Sequence, residues 1–157
     1  GFNRHDMMQY LRHDYFRRLL GGAVRSETEL RRRLKLLRSR MDPDRPCAIV
    51  DMAIPENADF LVNRWHYGNE RLETALRNFF GAELDGMRIL ISVLADGRIR
   101  MLCCPMWGET VKVDSITNEV YDHTIANIAH VREYLDVDLR ITGMTVLNRL
   151  VDLTLNQ

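Results

Sequence analysis

Three side chains in the middle of the chain have types that ligand or metal chemistry uses. They are Asp51 at the end of an apolar run, Asn69 in Gly68-Asn69-Glu70, and Arg98 after the pair Asp96-Gly97. A carboxylate such as Asp51 can hold a cation or a polar ligand, and it can equally be a structural group at a strand end. A guanidinium such as Arg98 can grip a phosphate through paired hydrogen bonds. Metal-assisted phosphoryl transfer demands more, because two ions about 4 Å apart need several convergent carboxylates. The stretch Asp96-Gly97-Arg98-Ile99-Arg100 instead offers two arginines and an isoleucine. Arg98 would repel a metal that an acid attracts.

Other candidates read more plainly. His123 and His130 are seven residues apart, wider than the His-x-x-x-His spacing of helical metal pairs, so they read as surface or internally bonded histidines. His66 lies between Trp65 and Tyr67, an aromatic cluster that suits a core or interface as readily as a pocket. Trp107 either anchors a partner or folds back over the sheet. The run Arg31-Arg32-Arg33 lacks interleaved aromatics and reads as a solvated helix face, with no direct nucleic-acid binding expected. Cys47, Cys103 and Cys104 show no CxxC spacing, which argues against zinc and for reduced buried thiols. No metal or other cofactor is expected.

The elements that must position these residues follow from periodicity. Helical spacing covers 6–20, ended by Gly21-Gly22. Ser26-Glu27-Thr28-Glu29 predicts a reciprocal capping box, opening a helix with Leu30, Leu34, Leu37 and Met41 on one face. Asp42-Pro43-Asp44-Arg45-Pro46 breaks the chain. A strand over 47–54 has Ile49 and Val50 on opposite faces, as a central strand would. A helical stretch from Pro55 to Phe80 carries Leu61, Trp65, Leu72, Leu76 and Phe79, with Gly68 a possible interruption. A hairpin over 87–104 turns at Asp96-Gly97. A long helix over 113–135 has Ile116, Val120, Ile125, Ile128 and Leu135 as core candidates. A strand over 139–147 and a short helix over 148–155 end the chain. From residue 47 the order is βαββαβ, the ferredoxin-like, nucleotide-cyclase-like α+β arrangement: an antiparallel sheet with helices on one face, preceded by an N-terminal helical extension.

The 157 residues suit one domain with an appendage, divided as a helical extension over 1–45 and a domain over 46–157. The division follows charge: residues 1–45 carry 12 Lys and Arg against 6 Asp and Glu, while the rest carries 10 against 16. No apolar run approaches the ~18 residues of a membrane span. No secretory signal is visible in the polar N-terminus. Together these predict a cytoplasmic protein without membrane contact.

Residues 47–147 resemble a degenerate GGDEF-type diguanylate cyclase domain. The resemblance lies in Asp51-Met52-Ala53 for the strand's Asp-x-Asp, in Tyr67-Gly68-Asn69-Glu70 for Tyr-Gly and Gly-Asp-Glu, and in the hairpin tip closed by Pro105. Ala53 and Asn69 replace acids, Arg98-Ile99-Arg100 replaces the acidic signature, and Ile91-Ser92-Val93-Leu94 lacks the Arg-x-x-Asp of the inhibitory site. The resemblance therefore implies a scaffold without cyclase activity, hence no enzyme.

The preceding stretch is similar to the helical lead-in of the intermediate domain in YesN-like, AraC-type two-component response regulators. It runs through Tyr15-Phe16-Arg17-Arg18-Leu19-Leu20-Gly21-Gly22, Ser26–Leu30 and Arg33–Leu37. That implies a non-catalytic, signal-transmitting or dimerising domain of a transcription regulator, with receiver and helix-turn-helix DNA-binding domains as partners in the parent chain. Self-association is expected, through a coiled coil on the first helix if an upstream domain continues it. The alternative is a small-molecule or nucleotide sensor whose vestigial cyclase cleft is lined by Asp51, Asn69 and Arg98.

Overall fold

The computed structural model describes residues 3–55, 68–94 and 97–155. Its elements run α1 (Arg4–Leu20), α2 (Glu27–Leu36), β1 (Cys47–Ala53), α3 (Asn69–Phe80), β2 (Glu83–Leu84), β3 (Met87–Val93), β4 (Ile99–Pro105), α4 (Val113–Leu135) and β5 (Arg140–Leu147). A 3₁₀ turn over Leu150–Thr154 follows, within the short helix expected over 148–155. The five strands form one sheet in the order β2-β3-β4-β1-β5, with every neighbouring pair antiparallel. This is an α+β architecture.

The boundaries have local causes. Asn3 caps α1 by accepting from the Asp6 amide at 2.9 Å. At the other end Ala23 N–H bonds to Arg18 O and Gly22 N–H to Leu19 O, with Gly22 at φ +85°. That is the paired closure for which glycine's left-handed freedom is suited. Only half of the expected capping box forms at α2. Glu29 N–H donates to Ser26 Oγ at 3.1 Å, but the Glu29 carboxylate turns outward to Arg32 and Arg33. α3 starts directly after Gly68; the expected helix over 56–67, with Leu61, Trp65, His66 and Tyr67, lies outside the described residues. So do Ala95 and Asp96 of the hairpin tip.

β2 lies between the expected helix and hairpin, where the pattern predicts no strand. It is two residues long, too short for any alternation to show, and the turn Asp85-Gly86 (φ +45° and +85°) folds it onto β3.

The two helices that follow the first strand share one face as expected, and the N-terminal extension adds a second layer on the other. α3 and α4 pack over one side, meeting Ala48, Val50, Met52, Ile89, Ile91, Met101 and Cys103. α1, α2 and the 3₁₀ turn cover the other, meeting Cys47, Ile49, Leu90, Leu102 and Cys104. The physical reason is in the strands: β1, β3 and β4 are apolar on both faces, so a single layer would leave half of them in water. Residues 4–41 thus belong to the packing of the sheet. α4 also turns differently from expectation. Ile116, Val120, Thr124, Asn127 and Val131 face inward, while Ile125 is exposed. Ile128 and Leu135 pack at the margin of that core. The cysteines are free and buried, with Cys103 and Cys104 on opposite faces as strand alternation requires. No described helix is long and apolar enough to cross a membrane.

Candidate functional site

Asp51 sits near the end of β1, directly opposite Arg100 on β4 and Gly143 on β5. The odd residues of β1 face the α1–α2 layer, and Asp51 follows them. There Arg100 grips it with two nitrogens: Nε donates to Oδ1 at 2.7 Å and Nη2 to Oδ2 at 3.4 Å. The third guanidinium nitrogen, Nη1, donates to Leu20 O at 3.0 Å, at the last turn of α1. The two side chains are only 26% and 18% exposed, so the pair is partly shielded from water. A Cβ on Gly143 would meet Asp51 Oδ2 at 4.0 Å, an ordinary van der Waals contact. The β1–β5 register shifts between Asp51 and Met52, a local irregularity beside the pair.

Asn69 is the first residue of α3 and is exposed. Arg98 is exposed in the β3–β4 connection, where its carbonyl accepts from Leu94 N–H at 2.8 Å. α3 lies on the sheet face opposite to the Asp51 carboxylate. The structure therefore joins Asp51 to Arg100 and α1, while the sheet runs between it and the helix that Asn69 opens. Among the described residues, no group of three or more His, Cys, Asp or Glu side chains comes together as a metal cage. His123 is spent structurally. Its Nε2–H donates to Phe80 O at 2.7 Å, fixing α4 to the end of α3.

The most buried charge among the described residues was not singled out in the sequence. Glu73 on α3 is 2% exposed. Its carboxylate accepts from Arg77 Nη1 at 2.8 Å, Arg17 Nη2 at 3.0 Å, Arg17 Nε at 3.3 Å and Val93 N–H at 3.0 Å. Four charge-assisted bonds offset the cost of taking this carboxylate out of water. They also join three elements that local chain contacts would not unite: α1, α3 and the end of β3. β2 reaches only Met87 and Arg88 of β3, so the outer edge of β3 runs on past it, and Glu73 occupies the Val93 donor there. A signal existed: Glu73 stands on the apolar stripe of α3 between Leu72 and Leu76, with Arg77 four residues on.

Above this carboxylate, α1 and α3 leave a polar cleft of about 410 Å³ bordered by Tyr10, His13, Arg17, Glu70, Thr74 and Arg77. Burial pushes the His13 pKa below its ordinary value, and the positive charges of Arg77, Arg17 and Arg88 push the same way against Glu73. The Glu73 hydrogen bond raises the Arg17 pKa. The cleft is thus built from a neutral-leaning imidazole and a satisfied ion cluster, a junction that holds two helices in register.

The Arg31–Arg33 run is also internally paired. Arg31 bonds Glu27 and Asp44, and Arg32 and Arg33 share Glu29. Comparison with protein-family models, curated proteins and solved structures finds no match to this chain.

Proposed function

We propose that the chain is a non-catalytic, signal-transmitting domain of a cytoplasmic AraC-type response regulator, built on a degenerate GGDEF-like, ferredoxin-like scaffold. With β2 counted as an added edge strand, the antiparallel order β3-β4-β1-β5 is compatible with that scaffold. The observation that carries the reading is the double attachment of α1. Arg100 binds both Asp51 and the carbonyl of Leu20, and Arg17 binds Glu73. In the resembled architecture this helix leads in from the receiver. A shift of α1 would have to break or drag both ion pairs, so it is communicated to the sheet and to α3. Asp51, which the resemblance matches to a magnesium-holding acid of the cyclases, is meanwhile engaged by a guanidinium, which supports transmission over turnover. The sensor alternative, with Asp51, Asn69 and Arg98 in one cleft, gains no support, since the sheet runs between the Asp51 carboxylate and the helix that Asn69 opens.

The test uses the parent gene. An in-frame receiver upstream and a helix-turn-helix downstream are expected. With a reporter promoter, Arg17→Ala and Arg100→Ala should each reduce the dependence of transcription on receiver phosphorylation, with circular dichroism showing a folded domain. Folded variants with an unchanged response would overturn the reading, and so would formation of a cyclic dinucleotide from GTP and Mg²⁺ by the purified chain.

A further inference from the structure

Four arginines from three separate segments converge on one small cavity on the α1–α2 side of the sheet. Arg12 comes from α1, Arg38 and Arg40 from the connection after α2, and Arg88 from β3; Ser39 and Glu83 complete the polar wall. The cavity measures about 210 Å³. Whole-metabolite pockets usually span ~300–1,000 Å³, so this one suits a small ligand or one end of a larger one.

Of the residues lining the cavity, only Glu83 brings a carboxylate to these four guanidinium groups. The Arg88 guanidinium is half-buried and makes no hydrogen bond or ion pair among the described residues. Burial lowers its pKa, the charge of Arg12 lowers it further, and Glu83 acts in the opposite direction. Glu83 stands directly across from Arg88 in the β2–β3 register, yet no ion pair joins them. Arg12 spends its Nε on Leu37 O at 2.8 Å, a contact that cancels no charge. Arg40 touches Glu109 only at 3.5 Å, in an exposed pair. Arg38 is held at φ +54°, a conformation that a non-glycine residue rarely adopts. Several arginines elsewhere in the chain are paired: Arg17, Arg31, Arg33 and Arg100 meet carboxylates within 3.0 Å. Gathering like charges beside a desolvated guanidinium costs folding free energy unless an anion offsets it.

We propose that this cavity is a binding site for a small phosphate-class oxyanion, either inorganic phosphate or the phosphate end of a phosphomonoester. Guanidinium forks match tetrahedral oxyanions with paired hydrogen bonds, and Ser39 adds a hydroxyl donor. Occupancy would tie α1, the α2–β1 connection and β3 together through one ligand. The site does not rest on the regulator reading or on Asp51.

Calorimetric titration and thermal unfolding of the chain test it, with sodium phosphate, glycerol phosphate and sodium chloride compared at matched ionic strength. Saturable phosphate binding and a higher melting temperature than in chloride are expected. Arg88→Gln should weaken binding at least about tenfold, the loss of one charge-assisted contact. Should Arg88→Gln fail to fold, the exposed-rim pair Arg38→Ala/Arg40→Ala should weaken it similarly, and Arg32→Ala on α2 should not. Tighter binding of glycerol phosphate would identify an organic phosphate as the ligand class, and tighter binding of inorganic phosphate would identify the free ion. Equal melting temperatures in phosphate and chloride, or binding undiminished in the arginine variants, would overturn the proposal.

Discussion

At the scale of single residues, the chain places its costliest charges where they do structural work. Glu73 satisfies two guanidinium groups and one backbone donor at once. Glu73→Ala strands all three. The arginine side chains keep 36% and 29% of their exposure, so water recovers part of the loss. The expected destabilisation is therefore about 2–3 kcal/mol, below the cost of breaking a fully buried pair. Glu73→Gln keeps an acceptor for Val93 and should cost about half as much. Urea unfolding of the three proteins checks the order, and equal midpoints would contradict the hub. His13 gives a pH signature. Its folded pKa lies below the ordinary 6.5 through burial first and Arg77 next. The unfolded chain therefore takes up the proton at higher pH than the folded one does. The contribution is complete above the ordinary value and is lost as pH falls through the lowered one. Stability should fall as pH drops through the ordinary value and on below it, and His13→Gln should flatten that slope. A slope unchanged in the variant would place the titration elsewhere.

At the scale of elements, what could be read in advance was what repeats. The long helix over 113–135 was expected at its observed limits because its apolar period runs for many turns and Asp136 ends it at φ +55°. The hairpin showed itself through two apolar runs on either side of the turn pair Asp96-Gly97. β2 could not, having two residues and no period. The second helical layer was implied by Ile49 and Val50 facing opposite ways, but the charge step near residue 45 drew attention to a division along the chain. Charge follows surface, whereas Leu30 and Leu34 follow the core. Asp51 was legible as a polar strand-end residue; its partner was not, because pairing with Arg100 depends on a register 49 residues away. The strands also carry a chemical prediction. Burial pushes the Cys47 and Cys103 thiols up to about 12 and raises Cys104 as well. The thiolate is the reactive form, so none should react promptly with an aromatic disulfide reagent at mildly alkaline pH. All three should react in denaturant, and rapid labelling of the folded chain would place a cysteine outside the packed layers.

At the scale of the whole molecule, one sheet is shared by two helical layers, and this decides how the protein must unfold. β1, β3 and β4 supply alternate residues to both cores, so melting either layer exposes the same strands to water. Leu30 of α2 and Leu76 of α3 are each 0% exposed, on opposite sides. Replacing either by alanine should cost about 2–5 kcal/mol, the range for a large buried aliphatic truncated without collapse. More telling than the size is the form of the transition. If residues 4–41 were an appendage, Leu30→Ala would melt the helices early and leave the sheet's own transition unmoved. With a shared sheet, both variants should shift a single transition, seen alike by far-ultraviolet circular dichroism and tryptophan fluorescence. The polar contacts of α1 act in the same direction, since Arg17 pairs with Glu73 of the other helical layer and Arg100 of β4 donates to Leu20 O. Two separated transitions, with Leu30→Ala moving only one of them, would mean that α1 and α2 fold apart from the sheet, and would remove the coupling on which transmission through α1 depends.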